Sequence, residues 1–237
     1  MQSRILQISS KLLALLLVVI VTHSYGQEIV KVRNTNFTSY FSKTAHIPVL
    51  VVYTLQDNML HCKRPNGESG PKYAPDPQVS VASDLADDYR SSMFDLAQMM
   101  SPAENICDRD AYKESYYFTN VMPMPKNLFK ESWDKLNKVE MAKASKYKKI
   151  KVFAGTAGRN WTIGRRNDVV VPEYCWKVIY IPSKDEYECY AFHNIEPYKS
   201  GDKLENHKVD INTIESLAGV HFVNGIVSAS YVVATPN

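Results

Sequence analysis

Between Phe94 and Leu136 the chain changes its hydrophobic period, and that change limits the folds open to it. Phe94–Met100 (FDLAQMM) reads as a short strand or turn, and Ser115–Val121 (SYYFTNV) is β-rich in composition. Pro123 and Pro125 then break the chain. From Leu128 the apolar residues Phe129, Trp133, Leu136 and Val139 recur at spacings of four, three and three, which is a helical period. The predicted helix runs to about Lys146, and its one apolar face has to be covered; the strands just before it are the natural partners.

Around this centre the chain reads as short β-branched runs. Ile47–Leu55 (IPVLVVYTL) predicts a buried strand, whereas Gln27–Tyr40 is mixed and polar and reads as irregular lead-in. Asp57–Val79 holds prolines 65, 71, 75 and 77 and glycines 67 and 70, which predicts a surface loop. Ser83–Arg90 is acidic. Lys148–Ala154 predicts a strand, with Gly155 and Gly158 marking a loop after it. Asp168–Val171 and Cys175–Ile181 are again β-branched, and a turn at Pro182–Glu186 sends Tyr187–Phe192 back as a hairpin partner. Ile211–Ala218 predicts a short helix, capped by Asp210 or Asn212 and ended by Gly219. Many strands and few helices make the class α+β rather than a regular βαβ wind.

The first 26 residues have the form of a secretory signal. Arg4 and Lys11 precede or open an unbroken apolar run of ten, Leu12–Val21, and Ser24 and Gly26 suit cleavage before Gln27. The run is too short to span a bilayer as a helix, which takes about 20 residues. The expectation is a leader over 1–26, one domain over 27–237, and a secreted or periplasmic protein with no membrane attachment. The formal charge is +3, of which Arg4 and Lys11 supply two, so the exported chain carries about +1. That excludes a strongly basic nucleic-acid binder and leaves only local patches. An oxidising compartment permits disulfides among Cys62, Cys107, Cys175 and Cys189. Three pairings are open. Cys175 and Cys189 fall on the two arms of the predicted hairpin and are candidates for proximity, with buried free thiols as the alternative.

The central segment resembles the DNA/RNA non-specific endonuclease family, whose fold is the ββα-metal type. Asp95-Leu96-Ala97-Gln98-Met99 stands where the family has D-R-G-H and an apolar residue. Thr119-Asn120-Val121-Met122-Pro123-Met124 matches its T-N-x-x-P-Q, and Phe129, Trp133, Leu136 and Asn137 match N-x-x-x-W-x-x-L-E without a gap. Outside the centre, Tyr53-Thr54-Leu55, Asp76-Pro77, Asp88-Tyr89, Ile163-Gly164, Val171-Pro172, Cys175-Trp176-Lys177-Val178 and Ile214-Glu215 with Gly219 and Phe222 follow the family's order. The resemblance covers about Ile47 to Phe222. It implies a mostly antiparallel sheet with flanking helices and Mg²⁺-assisted phosphodiester hydrolysis. In that chemistry a histidine takes a proton from water and an asparagine on the helix holds the hydrated metal.

The chemical positions depart from the pattern. The base position is Gln98, whose amide takes no proton near neutral pH. The metal-ligand position is Phe129, which offers no oxygen to a hard cation. The arginine position is Leu96, the glutamate position Asn137, and the glutamine after the proline Met124; Asn120 alone matches. A rebuilt site would have to draw on Asn127, Glu104 or Asp108. The expectation is a nuclease-like protein without catalysis and without a cofactor, binding DNA, RNA or a protein partner. Its alternatives are an active hydrolase with a rearranged Mg²⁺ site and a purely structural scaffold.

Arg159, Arg165 and Arg166 form the favoured nucleic-acid-binding cluster. The run Lys143, Lys146, Lys148, Lys149 and Lys151 reads first as a solvated helix end. Tyr116-Tyr117-Phe118 reads as alternating burial rather than base stacking, and Trp133 and Trp176 as core. His46, His61, His193, His207 and His221 carry no metal-ligand spacing, and His193 is the least implausible catalyst among them. Asn36-Phe37-Thr38 and Asn160-Trp161-Thr162 match glycosylation acceptors.

Overall fold

A computed structural model describes residues 28–63, 70–79, 85–90, 92–195 and 201–229. The expected leader, part of the Asp57–Val79 loop and the start of the Ser83–Arg90 segment lie outside the described residues.

In chain order the strands are β1 (Ile29–Arg33), β2 (Phe37–Ser42), β3 (Ile47–Gln56), β4 (Phe94–Gln98), β5 (Val121–Pro125), β6 (Lys149–Ala157), β7 (Trp161–Ile163), β8 (Val169–Val171), β9 (Tyr174–Ile181), β10 (Glu186–His193), β11 (Lys208–Val209), β12 (Val220–Val223) and β13 (Ile226–Ala229). The helices are α1 (Leu85–Arg90), α2 (Arg109–Glu114), α3 (Lys126–Leu128), α4 (Asp134–Tyr147) and α5 (Ile211–Ala218). A π-helical segment, Phe129–Trp133, joins α3 to α4.

Seven strands form one sheet in the order β1-β2-β3-β6-β9-β10-β11, and its pairings are antiparallel. The polar lead-in expected before Tyr40 is therefore the edge strand β1 and its inner neighbour β2. They bury Phe37, Tyr40 and Phe41 and leave charged positions outward, and the polar residues interleaved among the apolar ones hid the strand period. β3, β6 and β9 are central and mostly buried on both faces, apart from one face at the Gln56 and Lys149 end of β3 and β6, which is why they read as near-continuous apolar runs. Gly155 lies inside β6 rather than in a loop. The Trp176 indole rests on it, and a Cβ there would sit 2.1 Å from the ring.

The sheet separates two cores. On one face α4 and the β4–β5 ribbon pack on Val51, Leu55, Val152, Ala154 and Ile179. On the other, α5 and the β12–β13 hairpin cover Leu50, Phe153, Trp176 and Val178. Asp210 caps α5 by accepting from Thr213 N, and Gly219 ends it in the left-handed conformation at φ 63°. Cys175 and Cys189 face opposite cores, so they cannot meet; both are buried free thiols. The disulfide is Cys62–Cys107, with Cα atoms 5.1 Å apart.

Two expectations at the centre need correction. Ser115–Asn120 is turn and 3₁₀ helix, and the strand is the proline-bearing Val121–Pro125. Among the described residues β5 pairs only with β4, in a two-stranded ribbon. Alternate N–H groups of such a strand point away from its partner, so prolines at alternate positions cost the ladder nothing.

Candidate active site

The β4–β5 ribbon carries the helix on its back. Gln98 pairs with Val121 at one end and Phe94 with Pro125 at the other. The buried Trp133 indole donates to the Gln98 carbonyl at 2.9 Å, fixing the π segment against the end of β4. Two strands and a helix thus converge on Gln98.

Asn120 is fully buried and acts on backbone alone. Its Oδ1 accepts from Met100 N, and its Nδ2 donates to the carbonyls of Met100 and Ser115, each at 2.9 Å. It clamps the chain just after Gln98, a positioning role.

The Gln98 side chain is 6% exposed, and its Nε2 donates to the Tyr73 hydroxyl at 2.6 Å. Tyr73 Oη in turn donates to the Leu96 carbonyl at 3.0 Å. Burial pushes the Tyr73 phenol up to about 12, so it keeps its proton at neutral pH. Neither member of the pair accepts a proton from water there. Phe129 packs against the main core from the π segment. Met124 is fully buried. Asn137 is turned inward and accepts from Lys177 Nζ at 2.7 Å.

Three possible recruits are placed as follows. Asn127 is exposed on α3. Asp108 caps α2 by accepting from Asp110 N and Ala111 N. Glu104 forms a capping box with Ser101 and is wholly buried. Among the described residues no three His, Cys, Asp or Glu side chains gather in metal-binding reach. The hydrated Mg²⁺ that the family implies does not fit the residue at its ligand position: the Phe129 side chain has no oxygen or nitrogen to offer it.

Behind the ribbon lies a closed polar compartment that the sequence did not announce. Lys177 on β9 and Glu140 on α4 form an ion pair at 2.8 Å, both wholly buried. Tyr53 Oη donates to Glu140 at 2.7 Å, and Lys177 Nζ lies 3.2 Å from Tyr53 Oη and over the Trp133 ring at 4.7 Å. Burial first, and the Glu140 carboxylate second, hold the Glu104 carboxyl well above its ordinary range. The available signals were a lysine inside the apolar run Cys175–Ile181, and Glu140 seven residues after Trp133 on the same helix face.

A cleft of about 490 Å³ opens beside Gln98, lined by Tyr73, Leu96, Asp95, Phe94 and the α1 residues Tyr89 and Arg90, with Lys72 at its rim. The arginine cluster is split, and none of its three members lines this cleft. Arg165 and Arg166 stand exposed in the β7–β8 turn, where the Asp88 carboxylate of α1 accepts from Arg165 N at 3.0 Å. Asn167 also donates to Asp88. Gly164, at φ 93°, lies so close over Asp88 that a Cβ would overlap its carboxyl. Arg159 lies at the other end of that hairpin and lines a separate cleft with Ile47, Thr156 and Leu217. His193 stacks on Tyr174, 5.0 Å between ring centres, at the end of β10. Tyr116 packs on Tyr73 at 5.3 Å and Phe118 is core.

The family model for DNA/RNA non-specific endonucleases matches residues 19–229. Human mitochondrial Endonuclease G is 27% identical over 156 residues, 60% of this chain and 52% of the relative. Nuclease C1 of Cunninghamella echinulata is 28% identical over 167 residues, 64% of this chain and 66% of the relative. The chain thus spans about half the length of the Endonuclease G it matches. A structure solved as the EndoG/EndoGI complex superposes with a TM-score of 0.74 at 17% identity, covering 83% of this chain and 86% of that one. The architecture is that of the EndoG fold, and the chain belongs to the DNA/RNA non-specific endonuclease family.

Proposed function

We propose that this protein is an exported nuclease-fold protein that binds nucleic acid in the cleft beside Gln98 and does not hydrolyse it. The observation that carries this reading is the state of the two chemical positions. Gln98 sits at the base position with its amide nitrogen donating to Tyr73, and Phe129 occupies the metal-ligand position as a half-buried apolar side chain packed on the core. Loss of a general base alone costs about 10²–10⁴-fold in rate. Loss of the metal ligand removes the larger electrostatic contribution as well. The cleft offers Lys72 and Arg90, the latter also paired with Asp87, for phosphates, with Tyr73 and Tyr89 beside them, and the hairpin that α1 anchors adds Arg165 and Arg166 outside the cleft wall. Export is supported by the Cys62–Cys107 disulfide, which persists in an oxidising compartment.

A protein partner is the second reading. Met93 is 74% exposed, and Trp161 is 45% exposed while stacking on Phe94, so the cleft has an apolar rim. The solved relative held in an inhibitor complex fits that reading.

Two assays decide. Plasmid incubated with Mg²⁺ or Mn²⁺ is expected to remain at the level of the chelator control; metal-dependent cutting abolished by chelator overturns the reading. Labelled DNA and RNA are expected to bind, with affinity falling steeply between about 50 and 200 mM salt. No binding at the lower salt would leave the protein-partner reading in possession of the cleft.

A further inference from the structure

We infer that the opposite face of the large sheet carries a second nucleic-acid site, a cleft between β1, β6 and the β12–β13 hairpin that holds a phosphodiester backbone. The inference rests on the nucleic-acid reading above but places contacts where that reading has none. Lys31 and Arg33 of β1 and Lys149 and Lys151 of β6 share this face by register. Lys31 is opposite Tyr40, and Arg33 is opposite Thr38, which leads through Val52 to Phe153. Lys151 and Lys149 follow on the same face of β6, opposite Thr54 and Gln56. A cleft of about 340 Å³ is lined by Lys31, Arg33 and Lys151 and, from the hairpin, by Ile226 and Val227, and Lys149 stands exposed next along β6.

Four cations from two strands therefore meet on one face. Among the described residues none of the four has a carboxylate within ion-pair distance. Other lysines of this chain do: Lys43 with Glu28, Lys143 with Glu188, Lys148 with Asp57 and Lys177 with Glu140. In a chain of nearly balanced charge, an uncompensated basic face attracts an anion. Burial, and Lys149 second, lower the Lys151 pKa, a cost that an entering phosphate would relieve.

The geometry favours a nucleic-acid backbone over a small anion. β1 and β6 are separated by β2 and β3, so the two cation rows stand about 14 Å apart. Lys31 and Arg33 repeat along β1 at about 7 Å. An extended polyanion can engage both rows, whereas a single phosphate reaches one. The rings on the floor are covered: Tyr40 is 6% exposed beneath Lys31, and Phe153 is wholly buried with Lys151 over it. Bases thus find no open ring to stack on. Contact is with phosphates, independent of sequence and sensitive to salt.

The test measures binding of a labelled oligonucleotide to the full chain by fluorescence anisotropy across a salt series. Two neutralised variants are compared, Arg33→Gln with Lys149→Gln, both at exposed positions, and Lys31→Gln with Lys151→Gln. Lys72→Gln with Arg90→Gln probes the cleft beside Gln98, and thermal unfolding confirms that each variant is folded. Either far-face variant is expected to weaken binding about tenfold and to reduce the slope of log K against log salt by about 1.5, as two lost phosphate contacts require. Unchanged affinity and slope in the Arg33/Lys149 variant overturn the inference, as does a wild-type chain that binds no nucleic acid. Displacement by polyglutamate as readily as by unlabelled DNA would reassign the face to an acidic polypeptide and overturn it too. If only the Lys72/Arg90 variant loses binding, the proposed function stands and this inference falls. If only the far-face variants lose it, the converse holds.

Discussion

Glu104 shares its compartment with Glu140 and Lys177, so two carboxyl groups face one ammonium in a space closed to water. The folded protein keeps a proton on Glu104 that the unfolded chain releases above pH ~4.3. Stability gained from this group is therefore full below that pH and declines as pH rises toward the raised folded value, by at most about 1.4 kcal/mol per pH unit. Glu104→Gln supplies a neutral side chain that still accepts from Ser101 N and donates toward Glu140. It is expected to flatten the pH dependence of thermal unfolding as pH rises above about 5 (about one proton's worth) and to be at least as stable as the parent at the alkaline end. A parallel decline in both proteins would show that Glu104 is ionised in the fold. Lys177→Met makes the opposite case. It strands the Glu140 carboxylate, at a cost of about 3–5 kcal/mol near neutrality. The deficit is expected to shrink in acid, where a stranded carboxyl group can take up a proton; urea melts at two pH values would reveal it.

The helical element is held at its π segment, where Trp133 reaches Gln98 O on one side and lies under Lys177 on the other. Trp133→Phe keeps an aromatic ring but removes the donor and part of the buried indole volume, so a cavity cost adds to the lost hydrogen bond. It should cost about 1–3 kcal/mol by leaving a buried carbonyl unpaired, measured by denaturant unfolding. A loss within error would mean that water or a shifted strand serves the carbonyl. The 4-3-3 spacing of Phe129, Trp133, Leu136 and Val139 predicted this helix because its apolar face is a local property of sequence. The π segment left no such trace, since one extra residue per turn barely shifts the period. Strand β5 was misread because Pro123 and Pro125 were weighed by propensity, and a two-stranded ribbon tolerates them. Gln98, Asn120 and Phe129 were named as site positions from the family resemblance, and the fold ties the helix to Gln98 through Trp133, one turn after Phe129. What Gln98 does was not legible. Its partner Tyr73 is 25 residues away in a loop, and only the fold brings the two together.

At the scale of the molecule, the cleft is held by a covalent clip. Cys62, just beyond β3, is joined to Cys107, just before α2, across a sequence separation of 45. The enclosed stretch contains Tyr73, α1 and the whole of β4, so the disulfide closes the loop that carries most of the cleft wall. Restricting a loop of that length in the unfolded chain stabilises the fold by about 2–4 kcal/mol. Cys62→Ser with Cys107→Ser, or reduction of the parent, is expected to lower the melting temperature by roughly 5–15 °C for a domain of this size. Cys175 and Cys189 cannot blur the result. Both are buried, burial pushes the Cys189 thiol up to about 12 and Cys175 beyond it, and neither forms the reactive thiolate in the native state. Thiol alkylation of the folded, reduced protein should therefore label two cysteines and no more. If confirmed reduction leaves the melting temperature unchanged, the loop is already held by its own packing, and the disulfide contributes to the cleft's geometry rather than to the stability of the sheet.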